Sequence, residues 1–291
     1  MKSLIKMNRK SSSVVVIGVI TWILSLLTLV VLLPEGLKTS ADAGAPAVPY
    51  WIMLLPLLLG ILITAALPKS AESNAPKVDD KKRLSKDVKL LITCAVLFPL
   101  IVGVAGASDS LWYLVLKLGI LLAVPLLFVS KYKHSVILPK QQNYWRWLAP
   151  SIVLLVWLYM SAMAPWIVNN TAGIPDDITV LIIGGLITAV TAGVLEEVFY
   201  RRWLQTRLEA SIGMWAGIII TALLYAGMHL GDGRQQAGLL VEIASVVLFQ
   251  GTLGVMLGYL WSKYRNLFMV IAIHILLNGY TIAVHVFSTV L

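Results

Sequence analysis

Six residues in the C-terminal third have the types and spacing that proton transfer or metal binding requires. Glu196, Glu197 and Arg201 lie in TAGVLEEVFYRRW, His229 near the end of TALLYAGMHL, and His274 and Asn278 four residues apart on one helical face of IAIHILLNGY. A carboxylate can take a proton from water, while His and Asn can offer hydrogen bonds to the oxyanion that develops when an amide is attacked. Two His and one carboxylate are also the ligands of a catalytic zinc with an open water position, which here would be Glu196, His229 and His274. The His-Glu-x-x-His helix is absent, so a zinc or other divalent-metal site would have to be assembled from three helices, and both schemes stay open.

The two adjacent glutamates cannot share one task, because consecutive helical residues point about 100° apart. Glu197 and Arg201 are four apart with the acid N-terminal, the favourable ion-pair spacing, whereas Glu196 is five from Arg201 and off that face. Glu197 is expected to be the paired carboxylate and Glu196 the base or metal ligand.

The segments that must position these groups are apolar. The chain has 291 residues, 59% of them hydrophobic and 13% charged, against about 45–50% and about 25% in soluble domains. Runs long enough to cross about 30 Å of hydrocarbon recur along it. The candidate spans are Val14 to Leu33, Ala47 to Leu67, Leu90 to Ala105, Leu111 to Ser130, Leu148 to Val168, Ile178 to about Arg207, Ile212 to Leu230, Ala237 to Trp261 and Leu267 to Val290. The expected fold is therefore an all-α, polytopic transmembrane helix bundle of about nine spans.

The net charge of +9 reflects basic residues lying between apolar runs, so lipid is the expected partner and nucleic acid is not. With the N-terminus cytoplasmic, all but three of the 23 Lys and Arg fall on the inside, the exceptions being Lys38, Lys117 and Arg234. The positive-inside rule thus places the C-terminus outside. The first run precedes Ala41 and Ala43, an Ala-x-Ala pattern, but these lie well beyond its end and an uncleaved anchor is expected. The polar stretch Lys69 to Lys89 divides a two-span unit (1–89), of which it is the basic cytoplasmic linker, from a seven-span domain (90–291) whose motif-bearing core covers 178–290.

An ionisable group at the bilayer centre costs roughly 2.5–3.5 kcal/mol on insertion scales, so buried ones are functional candidates. Glu196 and Glu197 follow an uncharged run from Ile178 to Leu195, too long for a solvated face. At about 1.5 Å per residue, His274 lies about 12 Å above Asn266 and Glu197 about 15 Å above Arg207, similar depths, while His229 comes out somewhat too far. Its helix must begin late, or Gly231-Asp232-Gly233 must dip inward. Lys117 and Glu242, each about six residues from a span end, are read as snorkelling or facing an aqueous loop. His285 is read as interfacial, Gln250 as a bond to a neighbouring helix, and Gly254 with Gly258 as a small-x-x-x-small helix contact. The single Cys94 excludes an intramolecular disulfide. Asn169-Asn170-Thr171 fits a glycosylation acceptor but matches by chance too often to use.

In this order, Glu-Glu-x-x-x-Arg (Glu196, Glu197, Arg201), aromatic-x-x-x-His (Tyr225, His229) and His-x-x-x-Asn (His274, Asn278) resemble the three motifs of the CPBP family. That family comprises the type II CAAX prenyl endopeptidases and the bacterial Abi or bacteriocin-processing relatives. The resemblance covers about Ile178 to Asn278, with Tyr225 where many relatives carry Phe. It implies an α-helical membrane core, peptide-bond hydrolysis in or beside the bilayer with all six residues in the site, a peptide or membrane-protein substrate, and a bacterial plasma-membrane location. The family's usual description as metalloproteases favours a metal. A non-catalytic scaffold or bacteriocin-immunity protein could keep the same fold. A transporter would also need buried Glu and His, but no internal repeat is evident.

Overall fold

The computed structural model describes residues 9–38, 47–71, 75–107, 110–130, 135–139, 143–164, 177–230 and 238–290. The helices are α1 (Arg9–Leu32), α2 (Tyr50–Ala66), α3 (Lys81–Ala105), α4 (Leu111–Val129), α5 (Trp145–Leu158, continued by a wider turn over Tyr159–Met163), α6 (Ile178–Ile212), α7 (Met214–Gly227), α8 (Leu239–Tyr264) and α9 (Leu267–Val290). A helix lies on each stretch read as a span. Among the described residues α1, α3, α4, α6 and α8 are long and apolar enough to cross a membrane, and α2, α7 and the first part of α9 are shorter apolar helices. The only strands among the described residues are two-residue antiparallel ladders, Leu37–Lys38 with Ala47–Val48 and Lys77–Val78 with Val136–Ile137. The described residues thus form an overwhelmingly helical, multi-pass membrane fold, with large apolar side chains such as Ile183, Leu186 and Val190 turned outward.

Several boundaries differ from the sequence reading for identifiable reasons. Helix α3 starts at Lys81, well before Leu90: Asp80 accepts a hydrogen bond from the Arg83 amide at 2.9 Å, and Lys and Arg are good helix formers. The end of the polar segment is therefore helix, not linker. Helix α6 runs on to Ile212, where Gly213 takes φ +93° and starts α7 at once. The potential cleavage pattern at Ala41 and Ala43, the Asn169 to Thr171 motif and Gly231 to Gly233 lie outside the described residues, as does the His285 side chain.

Two apolar cores flank the motif-bearing helices. One, around Leu91, Phe98, Phe199, Leu204 and Tyr225, joins α3, α4, α6 and α7; the other, around Trp157, Leu257, Trp261 and Ile273, joins α2, α5, α8 and α9. Small residues set the close approaches. A Cβ on Gly254 would stand 3.0 Å from the Cα and Cβ of Ala222, and one on Gly258 2.8 Å from Gln205 Oε1, so the expected small-x-x-x-small contact seats α8 on α7 and α6. A Cβ on Gly193 would stand 2.2 Å from Ile275 Cγ1, so this glycine lets α9 lie against α6 one residue from His274.

Polar networks fasten the ends of these helices facing the Lys69 to Lys89 side. Asp87 accepts from Arg83 (3.0 Å), Arg207 (3.0 Å) and Ser135 (2.7 Å), tying α3 to α6 and to the ladder strand. Glu209 receives Gln205 at 2.7 Å together with Ser262 and Arg265, and Gln205 also donates to the Gly258 carbonyl at 2.8 Å. Lys263 caps the C-terminal end of α2, donating to the carbonyls of Thr64 and of Leu67 just past the helix at 2.5 Å each. Each buried charge here has partners, as its burial demands.

Candidate active site

The motif residues of α6 sit in a widened stretch, Ala189–Gln205, with π-type backbone pairing that ends where the Thr206 amide donates to the Arg201 carbonyl five residues back. Such widening changes which side chains share a face and is frequent at functional sites. Within it Glu196, Glu197 and Arg201 are all but completely buried, as is His274 on α9.

These four meet. Glu197 Oε2 lies 3.1 Å from Arg201 Nε, the expected i,i+4 ion pair, and its other oxygen accepts from His274 Nδ1 at 2.7 Å. A carboxylate only accepts, so this bond places an imidazole proton on Nδ1, and in the neutral ring Nε2 is then the acceptor. Tyr225 completes that side: its hydroxyl stands 3.4 Å from Nε2, too long a contact to use up that acceptor, and the Arg201 guanidinium stacks 4.7 Å from its ring. Glu197 therefore both balances Arg201 and orients His274, more than the single structural pairing read from spacing.

Glu196 is held differently. Its Oε1 accepts from the Lys117 ammonium at 2.5 Å, whereas Oε2 lies 4.0 Å from His274 Nε2 and, among the described residues, has no hydrogen-bond partner. Two sequence expectations are corrected here. Lys117 does not snorkel: it is buried on α4, 5.3 Å from the Tyr113 ring centroid, because a carboxylate from another helix offers a partner in low dielectric. Nor does Glu196 lack a basic partner, since Lys117 replaces the Arg201 it cannot reach. The only warning in the sequence was a lone lysine inside an apolar run. Glu242 is likewise buried and not solvated.

His229 joins at the edge. Helix α7 ends at Gly227, so His229 falls in the turn that follows, with its ring 5.1 Å from that of Tyr225 and edge-on to it. The aromatic-x-x-x-His spacing thus brings His229 beside the tyrosine that touches His274. Asn278 lies one turn beyond His274 on α9 and is exposed, apart from the buried charges. Gln250 lines a separate cavity of about 310 Å³ bordered by α2, α5, α8 and α9, with Leu253 and Leu277 among its walls.

The charges in the buried set balance, with Lys117 and Arg201 facing Glu196 and Glu197. As placed, Glu196, His229 and His274 do not fit a metal. Zinc ligands at about 2.0–2.2 Å must stand roughly 3–3.5 Å apart. Here the nearest Glu196–His274 approach is 4.0 Å, and an ammonium sits on Glu196 Oε1. Among the described residues no group of three or more His, Cys, Asp and Glu is disposed to hold one. What the arrangement does fit is a water: two acceptors 4.0 Å apart, Glu196 Oε2 and His274 Nε2, can each receive one O–H of a molecule about 2.8 Å from both.

No curated protein and no solved structure matches the chain. Residues 178–280, about a third of the chain, match a family model. The model is that of the type II CAAX prenyl endopeptidase Rce1-like family, and the match, which spans the three motifs from α6 to α9, agrees with the CPBP resemblance of those motifs.

Proposed function

We propose that the protein is an intramembrane endopeptidase of the CAAX type that activates water with Glu196 and works without a bound metal. The observation that carries this reading is the buried Glu196 Oε2, 4.0 Å from an imidazole nitrogen whose tautomer is set by Glu197. A water donating to both atoms loses its proton to Glu196 as its oxygen attacks the scissile carbonyl carbon. The tetrahedral oxyanion takes N–H donors from His229, beside Tyr225 at the edge of the buried set, and from Asn278, one turn beyond His274 on α9. When the C–N bond breaks, Glu196 returns the proton to the leaving amine, so the carboxylate ends as it began. The family description favours a substrate with a prenylated CAAX-type C-terminus; a leader peptide or another membrane protein would meet the same chemistry.

Purified protein in detergent or proteoliposomes is expected to cleave a quenched fluorescent peptide ending in an S-farnesylated CAAX sequence, with the rate unchanged by a chelator. Cleavage that stops with chelator and returns with zinc would overturn the metal-free scheme. Failure to cleave this peptide, a leader peptide and a single-span membrane substrate would overturn the peptidase reading in favour of a non-catalytic scaffold.

The same reading sets the orientation. With the N-terminus cytoplasmic, Lys69 to Lys89 and the Arg201 end of α6 face the cytoplasm and Leu291 lies outside. Reporter fusions after Ser85 and after Leu291 are expected to report cytoplasm and exterior respectively; a cytoplasmic Leu291 would refute this topology.

A further inference from the structure

We infer that Lys117 is a positioning residue for the reaction: its ammonium clamps one oxygen of Glu196 so that the other is aimed at the attacking water. The inference rests on the proposed role of Glu196 and adds to it a residue that lies outside the family-matched stretch 178–280.

The geometry is one-sided. Lys117 Nζ is 2.5 Å from Oε1, and among the described residues Oε2 has no hydrogen-bond partner and faces His274 Nε2 across 4.0 Å. A glutamate side chain has three rotatable bonds, and its carboxylate would otherwise be free to turn toward the Tyr200 hydroxyl, which is buried and close enough to feel its charge. Fixing Oε1 removes that freedom and leaves one oxygen for the water. The clamp is itself held from its own helix: Tyr113 lies one turn before Lys117, its ring centroid 5.3 Å from Nζ, and packs its other side on Phe98 of α3 at 5.4 Å. A base misplaced by about 1 Å can lose on the order of 10²-fold in rate, so the clamp has a measurable share of kcat.

A purely structural ion pair would affect how much protein folds and leave the folded fraction fully active. The test therefore compares turnover per folded molecule. Lys117→Arg keeps the charge but replaces a point donor with a longer, planar one that cannot hold Oε1 in the same place. On the farnesylated CAAX peptide this variant is expected to accumulate like the wild type, to keep its KM and to lose about 10- to 100-fold in kcat. Lys117→Met removes the clamp and strands Glu196, so it is expected to lose both abundance and, per folded molecule, kcat.

Full kcat in Lys117→Arg or, per folded molecule, in Lys117→Met, while Glu196→Gln is inactive, would overturn the role of Lys117 alone. An active Glu196→Gln would overturn the reading of Glu196 on which it rests, and a wild type that cleaves none of the probes would overturn both.

Discussion

Glu196→Gln is expected to abolish cleavage, with a loss of about 10²–10⁴-fold or more in kcat, and to leave KM close to that of the wild type. The amide has nearly the same shape as the carboxylate, and its oxygen can still accept from Lys117, so the local packing survives. What disappears is the ability to take a proton from water at Oε2. The substitution also leaves the Lys117 charge without its counter-charge, which lowers abundance to a degree that the neutral double variant Lys117→Met/Glu196→Gln reverses. Activity must stay absent in that double variant. Quantifying folded protein in membranes beside single-turnover cleavage separates the two effects, and a Glu196→Gln protein with normal turnover would remove Glu196 from the mechanism.

What the sequence made legible was whatever is local to one helix. Runs of apolar residues located the helices, and the four-residue spacing of Glu197 and Arg201 gave their 3.1 Å ion pair. The small-x-x-x-small spacing of Gly254 and Gly258 gave a real helix contact. Pairings between helices were not legible, because a sequence gives depth along a span but not rotation about its axis. Lys117 and Glu196 are 79 residues apart, and an isolated lysine six residues from a span end reads equally well as a snorkelling side chain. Glu209 and Arg265 have the same history: two charges in separate segments that become a single buried pair once α6 and α8 pack. His229 stood too far out in the depth estimate since a regular helix was continued to it. In the structure α7 closes at Gly227 and His229 lies in the succeeding turn. The widened stretch of α6 was equally hidden, as π-type pairing leaves no period that the apolar pattern of Ala189–Gln205 would show.

Glu197→Ala and Arg201→Ala are expected to act first on folding. Both side chains are wholly buried in the centre of α6, and removing either strands the other charge in low dielectric, a loss of about 3–5 kcal/mol for a fully buried pair. Against a typical domain stability of about 5–15 kcal/mol, that is enough to reduce the amount of protein in the membrane several-fold. The two variants differ in what remains. Arg201→Ala leaves Glu197 bonded to His274 at 2.7 Å, so the imidazole keeps its orientation, and molecules that do fold should retain a measurable rate. Glu197→Ala removes the acceptor at Nδ1 as well as the counter-charge of Arg201, so the ring can turn and Nε2 no longer faces Glu196. Its folded fraction should therefore be slower than that of Arg201→Ala at equal amount. Glu197→Gln sharpens the contrast: the amide oxygen can still accept from Nδ1 while the charge opposite Arg201 is gone, giving low abundance but better turnover per molecule than Glu197→Ala. Membrane abundance by immunoblot, thermal unfolding in detergent and cleavage per folded molecule measure these terms separately. Wild-type abundance and melting temperature in both Glu197→Ala and Arg201→Ala would show that the pair does not hold α6 together, and equal turnover in Glu197→Ala and Glu197→Gln would show that Glu197 does not orient His274.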